Sequence, residues 1–166
     1  MDPAPVIFSG TYACLVDDKG RLTVPKSMRE QVPPSQEKYW VTLLFPERCV
    51  AVYPEAQWHP IHAKRVDELS RADSAEHRER YRAVLEKTYT VKPDGQGRFR
   101  VHPALAKAAA LDGQILAIGF GDHVEYWALE RRERYVRSLG ASEDDSCFQY
   151  AETIRDEGGT DGVADR

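Results

Sequence analysis

Asp17-Asp18-Lys19-Gly20-Arg21-Leu22-Thr23-Val24-Pro25 has a second version in the same chain, Asp94-Gly95-Gln96-Gly97-Arg98-Phe99-Arg100-Val101-His102-Pro103. At an offset of 77 residues Asp17 meets Asp94, Gly20 meets Gly97 and Arg21 meets Arg98. Leu22 meets Phe99, Val24 meets Val101 and Met28 meets Leu105. Farther on the best offset falls to 74, so that Val50 meets Val124, Val52 meets Tyr126 and Tyr53 meets Trp127. The second copy has the shorter connection. A unit of roughly 45–50 residues is duplicated, too few times for a solenoid.

Within each copy the pattern predicts strand, tight turn, strand, short helix, strand, strand. Tyr12–Val16 and Thr90–Lys92 are the incoming strands. The turns follow from chemistry: Asp bonds its own downstream backbone, and Gly accepts a positive φ. Past the turn, Leu22 and Val24 face one way while Arg21 and Thr23 face the other. The second copy puts Phe99 and Val101 inward, with Arg98 and Arg100 outward. Pro25 or Pro103 fits the first turn of the short helix, where a missing N–H costs little. Met28 with Val32, and Leu105 with Ala109, supply its apolar stripe. Val41–Phe45 and Ile115–Ile118 are apolar on both faces, which predicts strands covered on both sides. One such unit is too small to bury a core alone. Two in one chain are expected to interlock around a shared core.

Helical patterns fill the rest. One runs from Tyr53-Pro54-Glu55 to about Leu69, with Trp58, Ile61 (or His62), Val66 and Leu69 along it. Asp73-Ser74-Ala75-Glu76 looks like a capping box. Tyr81, Val84, Leu85 and Thr88 then recur at helical spacing. Glu130–Leu139 is a charged helix with Tyr135 and Leu139 on one side.

The 166 residues suit one compact domain or two small ones, and 42% hydrophobic with 30% charged describes an ordinary globular chain. No apolar run approaches the ~20 residues of a membrane span. The opening MDPAPVIFSG has neither a basic n-region nor a long apolar core, so no secretory signal is expected. Three scattered cysteines, Cys14, Cys49 and Cys147, fit a reducing compartment. The net charge is −4, but residues 143–166 hold eight acids and two arginines, so the other 142 residues carry +2. That acidic tail, Gly- and Asp-rich at its end, is expected to be disordered. Its charge can visit a basic surface of the folded part or serve only to solubilise the chain.

These residues resemble the MraZ family of bacterial transcriptional regulators, built from two SpoVT-AbrB-type swapped-hairpin units. The Asp-x-x-x-Arg motif stands at Asp17/Arg21 and again at Asp94/Arg98. Phe8-x-Gly10, Tyr53-Pro54 with Trp58, and the Arg-rich run 78–85 also match. His102 departs from the pattern, which has a small or apolar residue there, and the tail beyond Ser142 has no counterpart. The resemblance implies an α+β, mainly β fold: duplicated SpoVT-AbrB-like swapped-hairpin β-barrel units sharing one core, with flanking helices. The expected divisions are 7–54 for the first unit, 55–88 for a helical linker, 89–140 for the second unit and 143–166 for the tail. It further implies a regulator that binds repeated boxes in double-stranded DNA upstream of division and cell-wall genes, its own cluster included. The expected assembly is a homo-oligomeric ring, in the cytoplasm and nucleoid-associated.

Arg21, one residue past a Gly turn, can reach a phosphate or bind guanine in a bidentate fashion. It can equally pair with Asp17 to fix the hairpin, and the two roles are compatible. Lys19, Lys26 and Arg29 extend a basic patch around it. Arg98 and Arg100 are the second candidates for DNA contact. Asp17, Gly20, Asp94 and Gly97 are structural parts of the motif. His59 and His62 share a helix face but lack an evident third ligand, so no metal is expected. Gly119-Phe120-Gly121 is not a dinucleotide fingerprint. No nucleophile elbow or phosphate loop is present, and neither an enzyme nor a cofactor is expected. The competing functions are an AbrB-type antitoxin autoregulator and a ring-forming scaffold without DNA binding. A gel shift against the chain's own upstream region separates them.

Overall fold

The first strand, β1 (Thr11–Leu15), skips the strands that follow it and pairs antiparallel with β7 (Gln114–Phe120), Thr11 opposite Ile118 and Leu15 opposite Gln114. The second copy returns the exchange: its first strand, β5 (Thr88–Val91), pairs with β3 (Tyr39–Leu43) of the first copy. Each copy keeps its own hairpin, β3 with β4 (Val50–Pro54) and β7 with β8 (His123–Ala128). The hairpins meet along β4 and β8, with Val50 opposite Tyr126 and Val52 opposite Val124. An antiparallel six-stranded sheet results, in the order β1-β7-β8-β4-β3-β5. The strands just past the two turns, β2 (Arg21–Thr23) and β6 (Arg98–Arg100), pair with each other as a separate two-stranded ribbon. This is a computed structural model describing residues 6–71 and 74–140. The acidic stretch 143–166 lies outside the described residues.

The fold is thus α+β and mainly β, with hairpins that exchange their first strands, as expected. The ladders form an open sheet and a ribbon. The incoming strands begin one or two residues earlier than the pattern suggested, within the usual ambiguity of element ends.

The exchange exists because neither half can bury its apolar residues alone. Leu22, Val24, Phe99 and Val101 from the ribbon side join Cys14, Val41, Val50, Val52, Ile115 and Tyr126 from the sheet in one buried cluster. Met28 of α1 (Lys26–Arg29) and Leu105 of α4 (Pro103–Ala108) close it from the ends. Each buried side chain of this size contributes about 1.5–3 kcal/mol. The two prolines divide the helix-start role differently. Pro103 takes the first helical position, whereas Pro25 stands before α1 as its N-cap at φ −52° and ψ 138°.

The other face of the sheet is covered by later helices. Successive strand residues point to opposite faces, so Tyr126 belongs to the main core while Trp127 packs beneath α5 (Leu129–Ser138) with Leu116 and Cys49. α2 (Glu55–Arg71) covers Ala51 and Tyr53 through Trp58, which stacks on Trp40 at 5.5 Å. Val66 is exposed: only the first half of α2 lies on the sheet. α3 (Ala75–Leu85) starts at Ser74, whose Oγ accepts the backbone N–H of His77 at 3.1 Å. His77, not Glu76, occupies the third helical position, so the box is half formed. Asp73 lies outside the described residues. Between α2, α3 and the sheet lies a cleft of about 670 Å³, walled by Phe45, Trp58, Tyr81 and Val84. Among the described residues no helix is long and apolar enough to cross a membrane.

Candidate nucleic-acid interface

Asp17 builds its turn with both carboxylate oxygens. Oδ1 accepts the backbone N–H of Lys19 at 2.9 Å and of Arg21 at 2.8 Å, and Oδ2 accepts Nε of Arg21 at 2.7 Å. Asp94 repeats this with Gln96 N at 2.9 Å, Arg98 N at 2.9 Å and Arg98 Nε at 2.8 Å. The Arg21 backbone N–H, helped by the Arg21 guanidinium and the Lys19 N–H, holds the Asp17 carboxyl below its ordinary range. Arg98 and Gln96 do the same for Asp94. Gly20 and Gly97 sit at φ +71° and +76°, where a β-carbon is disfavoured. At Gly97 a β-carbon would also stand 2.3 Å from Cδ of Arg29, so that side chain would have to move.

Each aspartate therefore holds its arginine by Nε. The Nη groups of Arg21 and Arg98 have no hydrogen-bond partner among the described residues. The pair fixes the turn through one edge of the guanidinium and leaves the other edge outside these bonds, so fixing the hairpin does not use up Arg21.

The ribbon then gathers the arginines. In its register Arg21 lies opposite Arg100, Leu22 opposite Phe99 and Thr23 opposite Arg98. Leu22 and Phe99 are buried in the core, so alternation puts Arg21, Thr23, Arg98 and Arg100 on the outer face. Three guanidiniums share one small surface. Arg100 is exposed, as are Lys19 in the first turn and Lys26 at the start of α1. Arg29 is placed differently from the other cations, since its side chain packs over Gly97 in the turn of the other copy.

His102 has a local explanation. Its Nδ1 accepts the backbone N–H of Ala104 at 3.2 Å and caps α4, while its ring stacks on Tyr89 at 4.0 Å and 7°. Pro25, its counterpart in the first copy, offers no side-chain cap. Sequence reasoning missed the opposition of Arg21 and Arg100, because it treated each turn as a separate patch. The signal was available: equivalent strands that pair about a two-fold axis place residue 21 against residue 100.

His59 lies 3.6 Å from Glu55, and His62 bonds the Tyr81 hydroxyl. Among the described residues no three His, Cys, Asp or Glu side chains converge as metal ligands.

Paired hairpins that exchange strands and carry an arginine-faced ribbon define a protein of the swapped-hairpin class. Its family follows from sequence comparison. The family profile described as "MraZ protein, putative antitoxin-like" matches residues 7–81. A transcriptional regulator MraZ of Methylobacillus flagellatus is 30% identical over 139 residues, covering 82% of this chain and 91% of the relative. One from Leifsonia xyli subsp. xyli is 32% identical, covering 82% and 91%. One from Leptothrix cholodnii is 34% identical, covering 75% and 82%. The chain belongs to the MraZ family of transcriptional regulators.

Proposed function

We propose that this chain is a sequence-specific regulator that lays its β2/β6 ribbon against double-stranded DNA. The observation that carries the reading is the ribbon's outer face, where Arg21, Arg98 and Arg100 stand together and two of them are aimed by aspartates. A two-stranded ribbon fits the major groove, and arginine is the residue best shaped to bind guanine there. Lys19 and Lys26, exposed beside the ribbon, contact phosphates. Arg29 supports the second turn from beneath. Residues 7–54 and 89–140 act as two units, joined by 55–88, that place both turns on one DNA segment.

The same reading has the chain act in the cytoplasm, associated with the nucleoid. It binds repeated boxes upstream of division and cell-wall genes, its own cluster included, as a homo-oligomeric ring. Supporting the assembly, Phe45 and Phe120 stand exposed at the tips of the two hairpins. The antiparallel pairing of β4 with β8 puts these tips at opposite ends of the sheet, where each subunit can offer one to the next, as head-to-tail contacts in a ring require.

A gel shift against the chain's own upstream region tests the reading. Arg21→Glu should abolish binding with circular dichroism and assembly unchanged, and Arg98→Glu should weaken it less. Wild-type log K should fall with log salt by roughly 0.9 for each phosphate contacted. Unchanged binding by folded Arg21→Glu would place the interface elsewhere.

A further inference from the structure

A second cationic cluster lies on the opposite face of the sheet. One Nη of Arg131, on α5, donates to the carbonyls of Ala108 at 2.5 Å and Arg48 at 3.3 Å. That ties α5 to the end of α4 and to the β3–β4 hairpin tip. Arg134 follows Arg131 by three residues and shares its helix face. Arg48 holds a left-handed backbone, φ 56°, at the tip itself. Among the described residues neither Arg48 nor Arg134 has an ion pair. Burial, with the charges of Arg48 and Arg134, pulls Arg131 below the ordinary arginine range.

The placement relative to the ribbon follows from two adjacent residues. The Tyr126 hydroxyl donates to the carbonyl of Thr23 in the ribbon at 3.0 Å. Trp127, pointing the other way, packs against Tyr135 of α5 at 5.3 Å. Glu47, at the same hairpin tip, accepts the Tyr135 hydroxyl at 3.5 Å and does not pair with these arginines; left unmasked, their charge would attract DNA phosphate to the wrong side of the molecule.

The chain itself carries a complementary segment within reach. α5 ends at Ser138, and Gly140 follows at φ +79° with its N–H donating to the carbonyl of Arg137 at 3.0 Å. A left-handed glycine just past a helix turns the chain away from the helix axis. The first acids after that turn are Glu143-Asp144-Asp145. From Arg134 to Gly140, helical as far as Ser138, the chain rises about 9 Å at most, and a span of three residues reaches about 10 Å. The return path is long enough.

We propose that Glu143-Asp144-Asp145 docks in cis on Arg48, Arg131 and Arg134, and so masks the back face from nucleic acid. The masking half rests on the DNA-binding reading above; the docking half does not. Docked there, the segment is held away from Arg21 instead of competing for it.

Cys147 makes the docking measurable. Cys14 and Cys49 are buried, and burial raises both thiols, Cys14 to about 12, so a thiol-reactive spin label at neutral pH goes to Cys147. In full-length protein at about 0.01 M salt, amide signals near Arg134 should broaden. They should recover at about 1 M salt, where the screening length shrinks to ~3 Å, and in Arg134→Glu and Arg48→Glu. Broadening at Lys19–Arg21 instead, or none near Arg134, overturns the docking. For the masking, truncation after Ser142 should tighten binding to random duplex DNA several-fold at low salt, and Arg134→Glu should cancel the gain. A gain that survives Arg134→Glu, or no gain, overturns the masking. If no DNA binds at all, the function reading fails while the label result still decides the docking.

Discussion

Arg21 and Arg100 face each other directly across the β2/β6 ribbon, each contributed by a different copy of the repeat. Like charges directly opposite in an antiparallel pair destabilise it by roughly 0.2–1 kcal/mol. The fold keeps both guanidiniums on the outer face despite that cost, and this is the arrangement the proposed DNA contact uses. Thr23 occupies in the first copy the position that Arg100 holds in the second. Arg100→Thr should therefore raise the urea midpoint at unchanged slope and weaken DNA binding. A variant that loses stability would show that Arg100 is held by contacts within the protein.

The two turns depend on ionised aspartates, and their pH dependence has a definite sign. Asp17 and Asp94 both titrate below the ordinary 3.8 in the folded chain. A carboxyl depressed by folding contributes stability that is present above its unfolded value and lost as pH falls through its folded one. Asp17→Asn and Asp94→Asn should be less stable than wild type at neutral pH, with the gap closing as pH drops below about 3.8. Urea titrations across that range measure it. A gap independent of pH would assign the turns to hydrogen-bond geometry alone.

His123 gives the opposite sign at the far end of the sheet. It is buried, stacked on Tyr53 at 4.5 Å, between Asp122 at 2.6 Å and Glu125 at 3.2 Å. Burial favours the neutral ring, yet the hydrogen bonds and charges of Glu125 and Asp122 win and raise it above 6.5. Burial likewise favours protonated Glu125, but His123 and the Trp127 indole N–H, at 2.8 Å, hold it below 4.5. The His123 contribution is complete below 6.5 and fades as pH rises through its folded value; that of Glu125 is complete above 4.5 and fades on acidification. Wild type should exceed His123→Gln most between those limits. An equal difference at pH about 5.5 and about 9 would sink the ion-pair account.

His102 caps α4 through Nδ1, so its removal should be felt by the helix. Losing an N-cap acceptor costs about 1 kcal/mol. His102→Asn keeps an acceptor but loses the stack on Tyr89. The difference in unfolding free energy between His102→Asn and His102→Ala isolates the cap, and a value near zero would assign His102 to stacking.

The exposed hairpin tips test the assembly. Phe45→Ser and Phe120→Ser, at 55% and 63% exposed positions, should leave the monomer folded and lower the mass seen by light scattering at micromolar concentration. Unchanged mass in both variants would move the contact away from the tips.

Much of the fold was legible because its determinants are local. The Asp and Gly of each turn, the alternation of Leu22 with Arg21, and the helical spacing up to Trp58 act over a few residues. What escaped was set by the exchange. Arg29 looked like part of its own turn's basic patch, yet the exchange lays it over Gly97. Val66 had the spacing of a core position, but α2 turns Ile61, Arg65 and Leu69 toward the cleft beside β3 and leaves Val66 exposed. His102 broke the family pattern, and only the open N-terminus of α4 explains it. The arginine face was half legible: alternation put each arginine outward, while strand pairing between the copies decided that they meet.

The exchanged strands also set the order in which the protein can be finished. β1 leaves the ribosome about a hundred residues before its partner β7, and synthesis runs at about 5–20 residues per second. For roughly 5–20 s the nascent chain carries a strand whose ladder with β7 has not yet been made. Closing so long a loop is also the costly, slow kind of contact. The first half cannot become a finished domain while the second is being translated. Folding must wait for nearly the whole chain, and a ribosome stalled between the copies would release a half-protein with one hairpin edge and one first strand open to any other copy nearby.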